Sequence, residues 1–130
     1  MSGGETPRLD RHERLLRRLG FSPSTAEVTH AFLDAALPER GAVVVDAGCG
    51  HVSALRPFRA RASEIVGVDI HAPGAPLPWL DRFVCADLCT DAGALPPGSL
   101  DVAFSSFAFE HLRDPDAALR TLARWLRPGG

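Results

Sequence analysis

Three aspartates each close a short apolar run: Val43-Val44-Val45 before Asp46, Ile65-Val66-Gly67-Val68 before Asp69, and Phe83-Val84-Cys85-Ala86 before Asp87. Acids at the ends of buried strands gather along one rim of a sheet, where they accept hydrogen bonds from hydroxyls, amines or backbone amides. Gly48-Cys49-Gly50 follows the first of them, a turn whose missing side chains let a ligand approach the backbone. A helix entered from that turn adds unpaired N–H groups suited to a carboxylate or phosphate. The second acid comes about twenty residues on, the spacing at which a carboxylate reaches both hydroxyls of a ribose. A lone glycine turn is equally a tight strand-to-helix connection, and a lone strand-end aspartate is equally a turn former. The turn and the three acids together favour a binding rim.

The other reactive side chains point less clearly. Cys49, Cys85 and Cys89 are odd in number and spaced neither as a C-x-x-C redox pair nor as a zinc ribbon, so they read as packed thiols. Asp69-Ile70-His71 offers a carboxylate and an imidazole, but no third or fourth ligand stands at usable spacing and no metal is expected. His12 and His30 fall on helical segments and read as ordinary histidines. His111 is the candidate general base or acceptor-positioning group, a role that rests on its position alone.

Elements that would position these residues can be read from the changing hydrophobic period. An Arg-rich segment, Arg8 to Leu19, has a charged face opposite Leu9, Leu15, Leu16 and Leu19, with Gly20 as its stop. Ser24-Thr25-Ala26-Glu27 has the form of a capping box, and Val28, Ala31, Phe32, Ala35 and Ala36 follow at helical spacing up to Pro38. Ala42 to Val45 lacks polar alternation, as a strand buried on both faces of a parallel sheet does. A helical segment from about Ser53 to Ala62, interrupted by Pro57, leads to a second strand at Ile65–Val68. The proline-rich stretch His71 to Pro78 is loop, Phe83–Ala86 a third strand and Leu100–Phe104 a fourth. Ala117 to Leu126 form the last amphipathic helix, with Asp114 or Asp116 as cap and Pro128-Gly129-Gly130 as stop. Strands alternating with helices predict an α/β fold, a doubly wound parallel sheet with helices on both faces.

Composition narrows the function classes. The chain has 130 residues, 45% hydrophobic and 23% charged, with a formal net charge of −2, the profile of a globular domain able to bury a core. Residues 1–40 and the remainder each balance arginines against acids, so no phosphate-binding surface is evident and no nucleic-acid partner is expected. No apolar run approaches the roughly 18 residues needed to cross a bilayer, and Met1 to Pro7 do not read as a secretory signal. The expectation is a cytoplasmic protein without a membrane partner.

The series Val44-Val45-Asp46-Ala47-Gly48-Cys49-Gly50, Gly67-Val68-Asp69, Ala86-Asp87-Leu88, Leu100-Asp101-Val102-Ala103 and Leu126-Arg127-Pro128-Gly129-Gly130 resembles the class I S-adenosylmethionine-dependent methyltransferases. The resemblance runs from about Gly41 to the end. It implies a Rossmann-like fold with S-adenosylmethionine as cofactor and a small molecule as methyl acceptor. Gly48 and Gly50 would then lie under the methionine moiety, with Asp46 toward its amino end. Asp69 would hold the ribose hydroxyls, Ile70 would lie against the adenine ring, Asp87 would accept from the adenine amino group, and the Leu88 backbone would meet the ring edge. Ser105 to His111 resembles the segment that faces the reacting methyl group.

The sequence departs from that family in two places. Val52 stands where a third glycine is usual, and the chain ends at Gly130 where the family continues with further strands. The expected organisation is therefore a helical extension over residues 1–40 and a cofactor-binding domain over 41–130, incomplete at its C-terminal side. A non-catalytic binding module built on the same fold is the alternative. A nicotinamide-dependent oxidoreductase is a second one, disfavoured because its G-x-G-x-x-G fingerprint asks for glycine or alanine where Ser53 stands.

Overall fold

A computed structural model describes residues 11–20 and 24–130. Arg8 and Leu9, expected to begin the first helix, lie outside the described residues. Helix α1 spans Arg11–Arg18 and α2 spans Thr25–Ala36. The strands are β1 (Ala42–Ala47), β2 (Ala62–Asp69), β3 (Arg82–Cys85) and β4 (Val102–Phe104), and helix α3 is Pro115–Trp125. All three strand pairings are parallel, in the order β3-β2-β1-β4. The chain thus starts its sheet at β1, builds outward through β2 and β3, and returns to the other side of β1. That reversal places a ligand crevice at the carboxyl ends of β1 and β4.

Alternation along β1 divides the core into two layers. Ala42 and Val44 point to one face, where they pack with Leu33 of α2, with Leu37 at its C-cap, and with Leu55 and Ile65. Val45 and Ala47 point to the other, joining Val66, Val68, Leu122 and Trp125. Asp46 shares the parity of Ala42 and Val44, so its carboxylate emerges on the α2 side.

Local signals fix several boundaries. Ser24 caps α2: the Glu27 amide donates to Ser24 Oγ at 3.3 Å, and the Ser24 amide to Glu27 Oε2 at 2.9 Å. Asp114 caps α3 by accepting from the Ala117 amide at 2.9 Å, with Pro115 in the first turn.

Four expectations need correction. The stripe that sets the helical spacing of α2 is not its buried face, since Val28 is 57% and Phe32 69% exposed whereas Leu33 and Leu37 are buried. Packing of Leu33 and Leu37 with Ala42, Val44, Leu55 and Ile65 goes with that rotation, and the Arg61 guanidinium, which pairs with Asp34 at 2.8 Å and donates to the Asp34, Leu37 and Pro38 carbonyls, ties down the end of α2. The segment after the glycine turn forms only a 3-10 turn, Arg56–Arg61. Pro57, lacking an N–H, sits at its start, so no helix N-terminus stands at Gly50 to attract an anion. Strand β2 begins at Ala62 rather than Ile65. Strand β4 begins at Val102 because the Asp101 carboxylate accepts from the Val43 amide at 2.8 Å, while Leu100 bridges instead to Leu126.

Candidate functional site

The three strand-end aspartates are not level. In the ladder Asp46 stands opposite Gly67 on β2 and Phe104 on β4. Asp69, two residues further along β2, pairs with Cys85, and Asp87 lies beyond the end of β3. That stagger gives each acid its own environment.

Asp46, still inside the sheet, is 3% exposed. Desolvation raises its pKa from 3.8 to about 6, opposed by a hydrogen bond with the Ser53 side chain and assisted by the negative charge of Asp69. Its Oδ2 has no hydrogen-bond partner among the described residues. A buried carboxylate oxygen left so is costly, and a donor that reached it would recover that cost.

The carboxylate of Asp69 is occupied. Its Oδ2 accepts from the Gly50 amide and its Oδ1 from the His71 amide, both at 3.0 Å. A carboxylate has roughly four acceptor positions, so two remain for a ligand. The Gly50 bond also ties the glycine turn to the end of β2, as do the Gly48 and Cys49 amides, which donate to the Val68 carbonyl at 2.7 and 3.2 Å. Gly48 has φ +76° and Gly50 φ +51°, in the left-handed region that glycine tolerates. A Cβ at Gly48 would stand 2.4 Å from the Cβ of Ala108, so the turn lies directly under the 105–111 segment. Asp87 holds its own turn: Oδ1 accepts from the Cys89 amide at 2.8 Å, and Oδ2 lies 3.7 Å from Arg113.

Two cavities flank the glycine turn. The larger, about 570 Å³, opens beside α2 and is lined by Thr25, Thr29 and His30 together with Asp46, Ser53 and Ser106. The smaller, about 380 Å³, is lined by Asp69, Ile70, Ala86, Leu88 and His111. Gly48, Gly50 and Phe107 border both. Of the residues singled out from the sequence, Asp46 thus opens on the first cavity, and Asp69, Ile70, Leu88 and His111 on the second, with the two glycines between. The carboxylate of Asp87 holds its turn one residue from Ala86 and Leu88. His111 is exposed and apart from Asp46.

Sequence reasoning missed the wall supplied by α2. His30, half-buried and edge-on to Phe58 with ring centroids 5.8 Å apart, lines the first cavity, as do Thr25 and Thr29 one turn apart. The parity of β1 was the available signal, since it aims Asp46 at whichever element covers that face. Cys49 is buried, and desolvation, then the charges of Asp46 and Asp69, push its thiol up to about 12. It stays a neutral packing residue. Among the described residues no cluster of three or more His, Cys, Asp or Glu could hold a metal ion, and no helix is long and apolar enough to cross a membrane.

Comparison with known proteins gives this geometry a context. A family model described as a methyltransferase domain matches residues 45–130. An uncharacterized methyltransferase of Mycobacterium tuberculosis is 33% identical over 110 residues, which cover 77% of this chain and 53% of the relative. A crystallised S-adenosylmethionine-dependent methyltransferase from Mesorhizobium loti superimposes with a TM-score of 0.62 at 31% identity, covering 82% of this chain and 51% of its own. The cyclase SpnF superimposes with a TM-score of 0.67 at 26% identity, over 81% and 42% of the two chains. The chain therefore spans about half the length of these relatives.

Proposed function

The chain belongs to the methyltransferase domain family, and from that premise we propose that it is the cofactor-binding part of a cytoplasmic enzyme that transfers a methyl group from S-adenosylmethionine to a small-molecule acceptor. The observation that carries the cofactor assignment is Asp46, which lines the first cavity and whose buried Oδ2 has no partner among the described residues, a demand that a nearby ammonium group would meet. The glycine turn fits beside it, because Gly48 and Gly50 present backbone with no side chain in the way. Asp69 fits as well, with acceptor positions left for two ribose hydroxyls. Ile70, exposed on the second cavity, offers an apolar surface for the adenine ring. The Leu88 backbone would meet the ring edge, and Asp87 would accept from its amino group on Oδ2, which its own turn does not use and which lies 3.7 Å from Arg113.

In this reading residues 41–130 form the binding domain, and residues 1–40 a helical extension whose α2 walls the first cavity. Bound S-adenosylmethionine supplies a methyl group already activated as a sulfonium, so the protein contributes chiefly alignment and exclusion of water. Asp46 would fix the amino end of the cofactor and Asp69 its ribose, while the Gly48 to Gly50 backbone would set its depth. Segment 105–111 stands over the turn and frames the approach to the reacting carbon. His111 takes the proton of a hydroxyl or amine acceptor. Ser53, whose hydroxyl lowers the Asp46 pKa, occupies the place where a dinucleotide fingerprint has a small residue for close helix packing, and here no helix enters.

Calorimetric titration of the chain with S-adenosylmethionine, S-adenosylhomocysteine and the nicotinamide dinucleotides tests the assignment. Binding of the first two is expected; tighter binding of a nicotinamide dinucleotide would overturn it.

A further inference from the structure

Phe107 is the only non-glycine among the described residues with positive φ, at 55°, a conformation bulky L side chains rarely adopt and one that persists only where the surroundings enforce it. They do so here from both sides. Before it, the Ser105 hydroxyl donates to the Ala47 carbonyl at 2.8 Å. After it, the Ala108 Cβ faces Gly48 with no room for another methyl group, and the His111 amide donates to the Ala108 carbonyl at 3.0 Å. The fold gains no core from this arrangement, since Phe107 is 72% exposed. Phe107 lines both cavities, whose other shared residues are Gly48 and Gly50, so its exposed ring stands beside their border.

A ligand that fills both cavities crosses from one to the other beside that ring. In S-adenosylmethionine the atom joining the amino-acid part to the ribose is the sulfonium sulfur, which carries the positive charge that methyl transfer removes. An aromatic face attracts a cation more strongly than a neutral thioether, whose sulfur makes only the weaker sulfur–aromatic contact. We propose that Phe107 is a specificity-determining residue of this site that favours the charged sulfonium cofactor over its neutral thioether product, and so promotes product release. The proposal rests on the cofactor reading above and adds a residue and a discrimination to it.

The test compares S-adenosylmethionine with S-adenosylhomocysteine on the wild type and on Phe107→Leu, Phe107→Tyr and Phe107→Gly, by calorimetry. Leucine keeps an apolar side chain on the same backbone and removes only the ring. The affinity ratio of sulfonium over thioether is expected to fall about fivefold in the leucine and glycine variants and to persist in the tyrosine variant. Phe107→Gly relieves the backbone, so its melting temperature is expected to match or exceed the wild type, which separates loss of the ring from loss of the fold. An unchanged ratio in Phe107→Leu, or an equal loss of both ligands, overturns the proposal and leaves the cofactor reading standing. A wild type that binds neither ligand overturns both.

Discussion

The ends of β1 and β2 are neighbours in one sheet and each carries an aspartate, yet the two carboxylates are prepared for different tasks. Asp69 is the last residue of its strand, so its side chain reaches loop amides, and Gly50 and His71 each donate to it at 3.0 Å. Asp46 lies one residue inside its strand, flanked by β2 and β4, where no amide is free to turn toward it. One oxygen therefore goes unpaired and the pKa climbs to about 6. The β2 end is an organised acceptor that also braces the glycine turn, whereas the β1 end stores a desolvation cost that a cationic donor would relieve. Residue type and strand-end position are common to both; register makes the difference.

The most damaging way to disturb the comparison is at the turn that joins the two ends. Gly48→Ala adds a Cβ 2.4 Å from that of Ala108 at φ +76°, combining left-handed strain with overpacking. It should destabilise the fold by about 3–4 kcal/mol, read as a lowered midpoint in urea.

A second experiment asks whether the β1 end is strained. With the folded pKa of Asp46 near 6 and the ordinary value at 3.8, the folded chain retains a proton between those values that the unfolded chain has released. The contribution of Asp46 to stability is thus fully present below about pH 4, declines as pH rises through that window, and settles above pH 6 at a cost of about 3 kcal/mol. Asp46→Asn abolishes this titration. Denaturation from pH 4 to 8 should show the variant more stable than wild type at pH 8 by about 2 kcal/mol, with the difference vanishing near pH 4. The same variant should bind S-adenosylmethionine more weakly. A wild type whose stability rises relative to the variant across that window would refute the contrast.

At the β2 end the opposite is expected. Asp69→Asn removes charge-assisted acceptance and sets an amide NH2 against a backbone N–H, which should weaken cofactor binding by about 2 kcal/mol, roughly thirtyfold, and lower the melting temperature. Unchanged affinity in a folded variant would leave Asp69 as a brace for Gly50 alone. The smallest effect is expected for Ser53→Ala, which removes the hydrogen bond that restrains the Asp46 pKa and the acceptor for the Leu55 amide at 3.1 Å. It should move the pH dependence of cofactor affinity to higher pH and cost about 1 kcal/mol of stability.

Much of this molecule is legible along the chain because the signals are local. The Ser24 and Glu27 capping box, the Asp114 cap, the branched run before Asp46 and the positive-φ glycine turn each depend on residues within a few positions of one another. They yield the parallel α/β sheet and name the residues of its rim. Pro57 is a local signal too: it stands in the first turn of the Arg56–Arg61 3-10 turn, which begins well after the glycine turn and leaves no helix N-terminus at the site.

The remainder is set by partners distant in sequence. Which side of α2 is buried follows from the packing of Leu33 and Leu37 with Val44, Leu55 and Ile65, joined by the Arg61 pair with Asp34, 27 residues away, and not from the apolar stripe of Val28 and Phe32. That rotation brings His30 to the cavity. The left-handed Phe107 follows from contacts to Ala47 and Gly48, some 60 residues away. Asp46 and Asp69 look alike in the sequence because each simply ends an apolar run. Burial and hydrogen bonding depend on how far each carboxylate stands from the rim, and that distance is fixed only when β1, β2 and β4 have taken their register.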